Sequence, residues 1–91
     1  MTDIHITFAG SHEYTVDIDD RGTTTRHTVH VPESLLTELG LTAADAERLV
    51  RESFAFLLER EPAGAILRQF ELDVISKYFP EYREQISSRL G

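Results

Sequence analysis

The chain has 91 residues, no cysteine, and 16 acidic against 9 basic side chains, a formal net charge of −7. This length supports one domain, residues 1–91, with little margin of stability. The missing cysteines exclude a disulfide framework and zinc–thiolate sites, and the negative charge weighs against general nucleic-acid binding.

The acids crowd toward the start. Residues 1–31 carry five acids and two arginines, residues 32–62 seven and three, and residues 63–91 four of each. The opening segment MTDIHITFAG has no apolar core of a signal peptide, and no apolar run approaches the ~20 residues of a membrane span. A cytoplasmic protein is the expectation.

Three successive stretches alternate apolar and polar residues with period two. Ile4, Ile6 and Phe8 come first, then Tyr14, Val16 and Ile18, then His27, Val29 and Val31. They predict three antiparallel strands, about 3–8, 13–19 and 24–31. The second turn fixes a register. An even-length loop centred on Arg21-Gly22 sets Tyr14 opposite Val29, Val16 opposite His27 and Ile18 opposite Thr25. All the apolar side chains then share one face, whereas a slip of one residue would scatter them. Phe8 belongs to that inner face, and His5, Thr7, Thr15, Asp17, Thr24, Arg26, Thr28 and His30 to the outer one.

Helical spacing takes over after Pro32. A short helix over 33–39 carries Leu35, Leu36 and Leu39, and Gly40 suits its C-terminal cap. The longest pattern spans 43–61, with Thr42 and Asp45 placed as a capping-box variant and Pro62 beyond its end. Its apolar arc (Ala46, Leu49, Val50, Phe54, Leu57, Leu58, with Phe56 at the margin) is about 200° wide, broader than the ~100° stripe of an ordinary surface helix. Such a helix needs more than one neighbour. Shorter helices are expected over 63–69, 73–79 and 81–90, the last with Tyr82, Ile86 and Leu90 at i, i+4 and i+8. The fold class is therefore α+β, a three-stranded antiparallel sheet packed on a helical C-terminal part.

Motifs for phosphate loops, dinucleotide binding, serine nucleophiles and zinc-protease helices are absent. His27 and His30 are an odd number apart on one strand and point to opposite faces, so they cannot share a metal. His5 and His30 could share the outer face, but with no carboxylate pattern beside them. His27 reads as a partly buried histidine satisfied by hydrogen bonds. No catalytic residue, cofactor or metal is expected.

The segment 24–60 resembles ribbon-helix-helix DNA-binding proteins, a family that includes bacterial antitoxins. The resemblance rests on the outward strand residues Thr24, Arg26, Thr28 and His30, on Val31-Pro32-Glu33-Ser34-Leu35-Leu36, and on Arg48–Phe54. It implies a strand paired with its copy in a dimer, with Arg26, Thr28 and His30 reading bases in the major groove. A second stretch, Phe56–Pro62 followed by Ile66–Phe70 and Ile75–Tyr82, is similar to small bacterial proteins of unassigned function.

Four of the eight aromatic residues, Phe70, Tyr78, Phe79 and Tyr82, gather in the last third. They either fasten the C-terminal segment over the core or offer a surface to a partner. The leading expectation is a small non-enzymatic protein-interaction or regulatory protein, with self-association or another protein as partner. The alternative is a ribbon-helix-helix regulator or antitoxin that binds DNA through strand 24–31.

Overall fold

The computed structural model describes residues 2–90. The first third folds as an antiparallel meander of β1 (Thr2–Gly10), β2 (Glu13–Asp20) and β3 (Thr23–His30). The β2–β3 register pairs Tyr14 with Val29, Val16 with His27 and Ile18 with Thr25, as the alternation requires. Its two-residue loop sets Arg21 at φ 54° and Gly22 at φ 84°. Both values are positive, the signature of the tight turn whose twist matches the flanking strands. Between β1 and β2, Ile4 faces Ile18, Ile6 faces Val16 and Phe8 faces Tyr14.

The helical part begins with α1 (Glu33–Leu39), preceded by Pro32. Gly40 ends it at φ 71°, and the amides of Leu41 and Gly40 turn back to the carbonyls of Leu36 and Thr37 at 2.8 and 3.1 Å. That closure satisfies carbonyls that a helix end otherwise leaves open. The Thr42 amide donates to Asp45 Oδ2 at 3.0 Å, which completes the expected capping box. A 3-10 turn over Ala43–Asp45 leads into α2 (Ala46–Leu58). The long helix is thus shorter than the span 43–61. Beyond Leu58 the amides of Arg60 and Glu61 both return to the Leu57 carbonyl, and the Arg60 guanidinium folds back to 3.6 Å over the Phe56 ring.

The largest correction concerns residues 63–69. A helix was expected there, yet only Ala63–Ala65 make a 3-10 turn. The chain then extends into β4 (Gln69–Glu71), parallel to β3, so the sheet has four strands in the order β1-β2-β3-β4. Apolar residues at 66 and 70 share a face in a helix and in a strand alike, so periodicity alone cannot separate the two. The neighbour decides. The Thr28 amide and the His27 imidazole need acceptors, and the Arg68 and Leu67 carbonyls supply them at 2.7 Å each. A helix through this segment would have spent those carbonyls on itself.

A 3-10 turn over Leu72–Val74, α3 (Ile75–Tyr78) and α4 (Tyr82–Leu90) complete the chain. The broad apolar arc of α2 is divided between two neighbours. Phe54 meets the sheet, its ring 5.5 Å from His27 and 5.9 Å from Phe70. Phe56 meets α4, its ring 5.4 Å from Tyr82. Phe54, Phe56 and Tyr82 are fully buried. Each such burial contributes about 1.5–3 kcal/mol. The inner face of β1 departs from expectation at its edge. Ile4 and Ile6 are only partly buried, and Phe8 is 64% exposed. The helical layer does not reach far enough to cover them.

Candidate partner-binding cleft

The segment that forms β4 also helps to line an apolar concavity. A cleft of about 190 Å3 lies between the end of α2 and α3, lined by Leu57, Ile66, Leu67, Phe70, Val74, Ile75, Tyr78 and Phe79, with Glu61 on one wall. Leu67 and Tyr78 stand at 50% and 67% exposure. Among the described residues, Phe8 is the other large apolar side chain exposed to this degree.

The cleft is held from behind. Phe70 leans on Phe54, and Phe79 meets Phe56 edge-on with ring centroids 5.9 Å apart. His27 pins the adjoining strand. Its Nδ1 lies 2.7 Å from the Leu67 carbonyl and its Nε2 2.9 Å from the Thr25 hydroxyl. A carbonyl only accepts, so Nδ1 carries the proton and Nε2 accepts from Thr25. Burial lowers the His27 pKa, more than its bond to Leu67 raises it. The neutral ring is the form this site holds; the histidine is hydrogen-bonded as expected and fully rather than partly buried.

A second buried polar pair fixes α4. Ser53 Oγ donates to the Leu49 carbonyl at 2.7 Å and lies 2.6 Å from the Tyr82 hydroxyl. With the Ser53 proton committed to the carbonyl, Tyr82 is the donor to Ser53. Burial pushes the Tyr82 phenol up to about 12, so it remains protonated across the ordinary pH range. Outside this core, Arg89 reaches both carboxylate oxygens of Glu59 at 2.6 Å.

The four aromatics singled out from the sequence therefore divide. Phe70 and Phe79 line the cleft half-buried, Tyr78 stands at its mouth, and Tyr82 is enclosed behind it where a partner cannot reach. Leu67 was missed. A leucine between Ile66 and Arg68 reads as one more core residue of a helix, and the irregular chain leading into β4 leaves it exposed.

Arg26, Thr28 and His30 share the outer face of β3. Arg26 Nε is held by Asp17 at 2.8 Å, and His30 Nδ1 lies 3.4 Å from Glu71. β3 pairs within its own chain. It lies between β2 and β4, with β4 beside Thr28–His30. His5 sits opposite Asp17 on β1, away from His30. The ring that approaches His30 is His12, at 6.0 Å between centroids. Among the described residues no three histidines or carboxylates are arranged to hold a metal ion, and no helix is long and apolar enough to cross a membrane.

No family model matches the chain, and no curated protein or solved structure is significantly similar to it.

Proposed function

We propose that the chain is a small non-enzymatic protein-interaction protein whose partner seats one large apolar side chain in the cleft between α2 and α3. The observation that supports this reading is a preformed apolar concavity with Leu67 and Tyr78 exposed at its mouth. Size favours one kind of occupant. At about 190 Å3 the cleft is smaller than the roughly 300–1,000 Å3 typical of small-molecule and cofactor pockets. It matches an anchor residue of the leucine or phenylalanine kind, the type that dominates protein interfaces from a central pocket. The single carboxylate on the wall, Glu61, favours a basic residue beside that anchor.

Affinity capture with the wild-type chain and a Leu67→Ser/Tyr78→Ser variant tests the proposal. Both side chains are largely exposed, so the variant keeps its fold, which far-UV circular dichroism checks. A protein retained by the wild type and lost from the variant supports the reading. Equal retention by both, or no retained protein, refutes it.

A further inference from the structure

The opposite edge of the sheet carries a surface that the cleft does not use. β1 is a nine-residue edge strand, and the direction of its backbone groups follows from two separate hydrogen bonds. The Thr28 amide donates to Arg68, so Thr28 faces β4 and not β2. Antiparallel alternation then makes Thr15, its partner on β2, face β1, where it meets Thr7. From the other end, the Ile4 carbonyl accepts from Arg51 Nη1 at 3.0 Å and not from β2. Both place Thr7 and its odd-numbered neighbours in the ladder. The amides and carbonyls of Ile4, Ile6 and Phe8 point outward, with no strand beyond them.

Edges of this kind are usually blunted by lysine, proline or an inward-pointing charge. β1 has none of these; its one irregularity, between Phe8 and Gly10, lies beyond the span Ile4–Phe8, and its inner face offers Ile4, Ile6 and Phe8. We propose that β1 pairs antiparallel with β1 of a second copy about a two-fold axis at Ile6, extending the sheet across both chains.

The sequence of β1 is self-complementary in that register. Ile6 meets Ile6 and Ile4 meets Phe8, so the outward backbone groups of these residues bond to one another. On the outer face His5 meets Thr7 and Asp3 meets Ala9, with no like charges opposed. A register centred on His5 would instead set Phe8 against Thr2.

The adjacent helix supplies charge complementarity. Arg51 of α2 lies at Ile4. Glu47, one turn earlier, lies near Tyr14, the β2 residue opposite Phe8, where burial first and the Glu47 carboxylate second raise the phenol pKa. Because Ile4 meets Phe8 of the second copy, Arg51 arrives beside Glu47 of the second copy, and the symmetry gives this pair twice. Arg51 then exchanges the Ile4 carbonyl for that carboxylate, and the carbonyl accepts the Phe8 amide of the second copy.

Sedimentation equilibrium of the full chain over about 1–300 µM tests the inference, and a self-associating dimer is the expected result. Arg51→Glu and Glu47→Arg should each weaken the dimer by about tenfold or more, since each opposes like charges at two symmetric sites. The double swap should restore it to within about threefold. Ile6→Pro removes an amide that points outward, spares the β1–β2 ladder, and should give a monomer. A wild-type monomer throughout the range overturns the inference. So does a dimer that neither charge reversal weakens, or one that the double swap leaves as weak as the single variants. If Ile6→Pro fails to fold, the charge series decides alone. The cleft lies at the β4 side of the molecule, so loss of this dimer leaves partner capture at the cleft unchanged.

Discussion

Ser53→Ala should destabilise the chain more than Tyr82→Phe, although each removes one hydroxyl from the same hydrogen bond. Tyr82→Phe deletes the donor and leaves Ser53 still bonded to Leu49 at 2.7 Å. That loss is of an ordinary net hydrogen bond, about 0.5–1.5 kcal/mol. Ser53→Ala deletes the acceptor and strands a phenol O–H at a residue with no exposed surface. An unsatisfied buried donor costs about 1–3 kcal/mol, offset by a few tenths from the better helix propensity of alanine. The double variant buries neither group and should lie close to Tyr82→Phe alone, well short of the sum. Urea unfolding followed by circular dichroism measures all four proteins. With a slope of about 1–2 kcal/mol per molar, a loss of about 2 kcal/mol moves the midpoint by about 1–2 M. Two results would refute the reasoning: Tyr82→Phe costing as much as Ser53→Ala, or a double variant in which the two losses simply add. Either would mean that the donor assignment is reversed or that another group satisfies the phenol.

Two further outcomes follow from the turn and the buried histidine. Burial lowers the His27 pKa, so the folded chain lags the unfolded chain in taking up a proton. Stability from the neutral ring is complete above the unfolded value of about 6.5. It falls as pH drops below that, by at most about 1.4 kcal/mol per unit, until the folded group titrates. Thermal melts at two pH values either side of this window should show wild type losing more than His27→Asn, which keeps a donor for Leu67; equal losses would remove His27 as the cause. Arg21 adopts φ 54°, a left-handed conformation that costs most side chains about 1–2 kcal/mol and asparagine less. Arg21→Asn should therefore raise stability by about 0.5–1 kcal/mol in the same urea assay, and an unchanged midpoint would argue against strain at that turn.

The features read correctly from sequence are those whose determinants lie close along the chain. Period-two alternation and the Arg21-Gly22 loop fix the hairpin register because a slip of one residue would expose Val16 and Ile18. Thr42 and Asp45 cap a helix start by themselves. The features misread depend on distant residues. β4 exists because Thr28 and His27, some forty positions earlier, require acceptors. Ser53 looks like a polar interruption of the α2 arc until Tyr82 arrives to use it. The exposure of Phe8 reflects how far the helical layer extends, which no local pattern encodes. The cleft was half legible: its aromatics cluster in sequence, but Leu67 joins them only because the chain before β4 is not helical.

The parallel pairing of β3 and β4 also bears on the order in which the molecule assembles. Hairpins and helix turns close over short loops and form early, whereas joining β3 to β4 must first close a loop of about forty residues. The return for that closure is a strand of only three residues. The β4 segment is therefore expected to form late and to open early. One wall of the cleft is built from it. Occupation of the cleft would be coupled to the closing of this segment, so a bound partner should slow amide exchange at residues 66–71 more than anywhere in the β1–β3 meander.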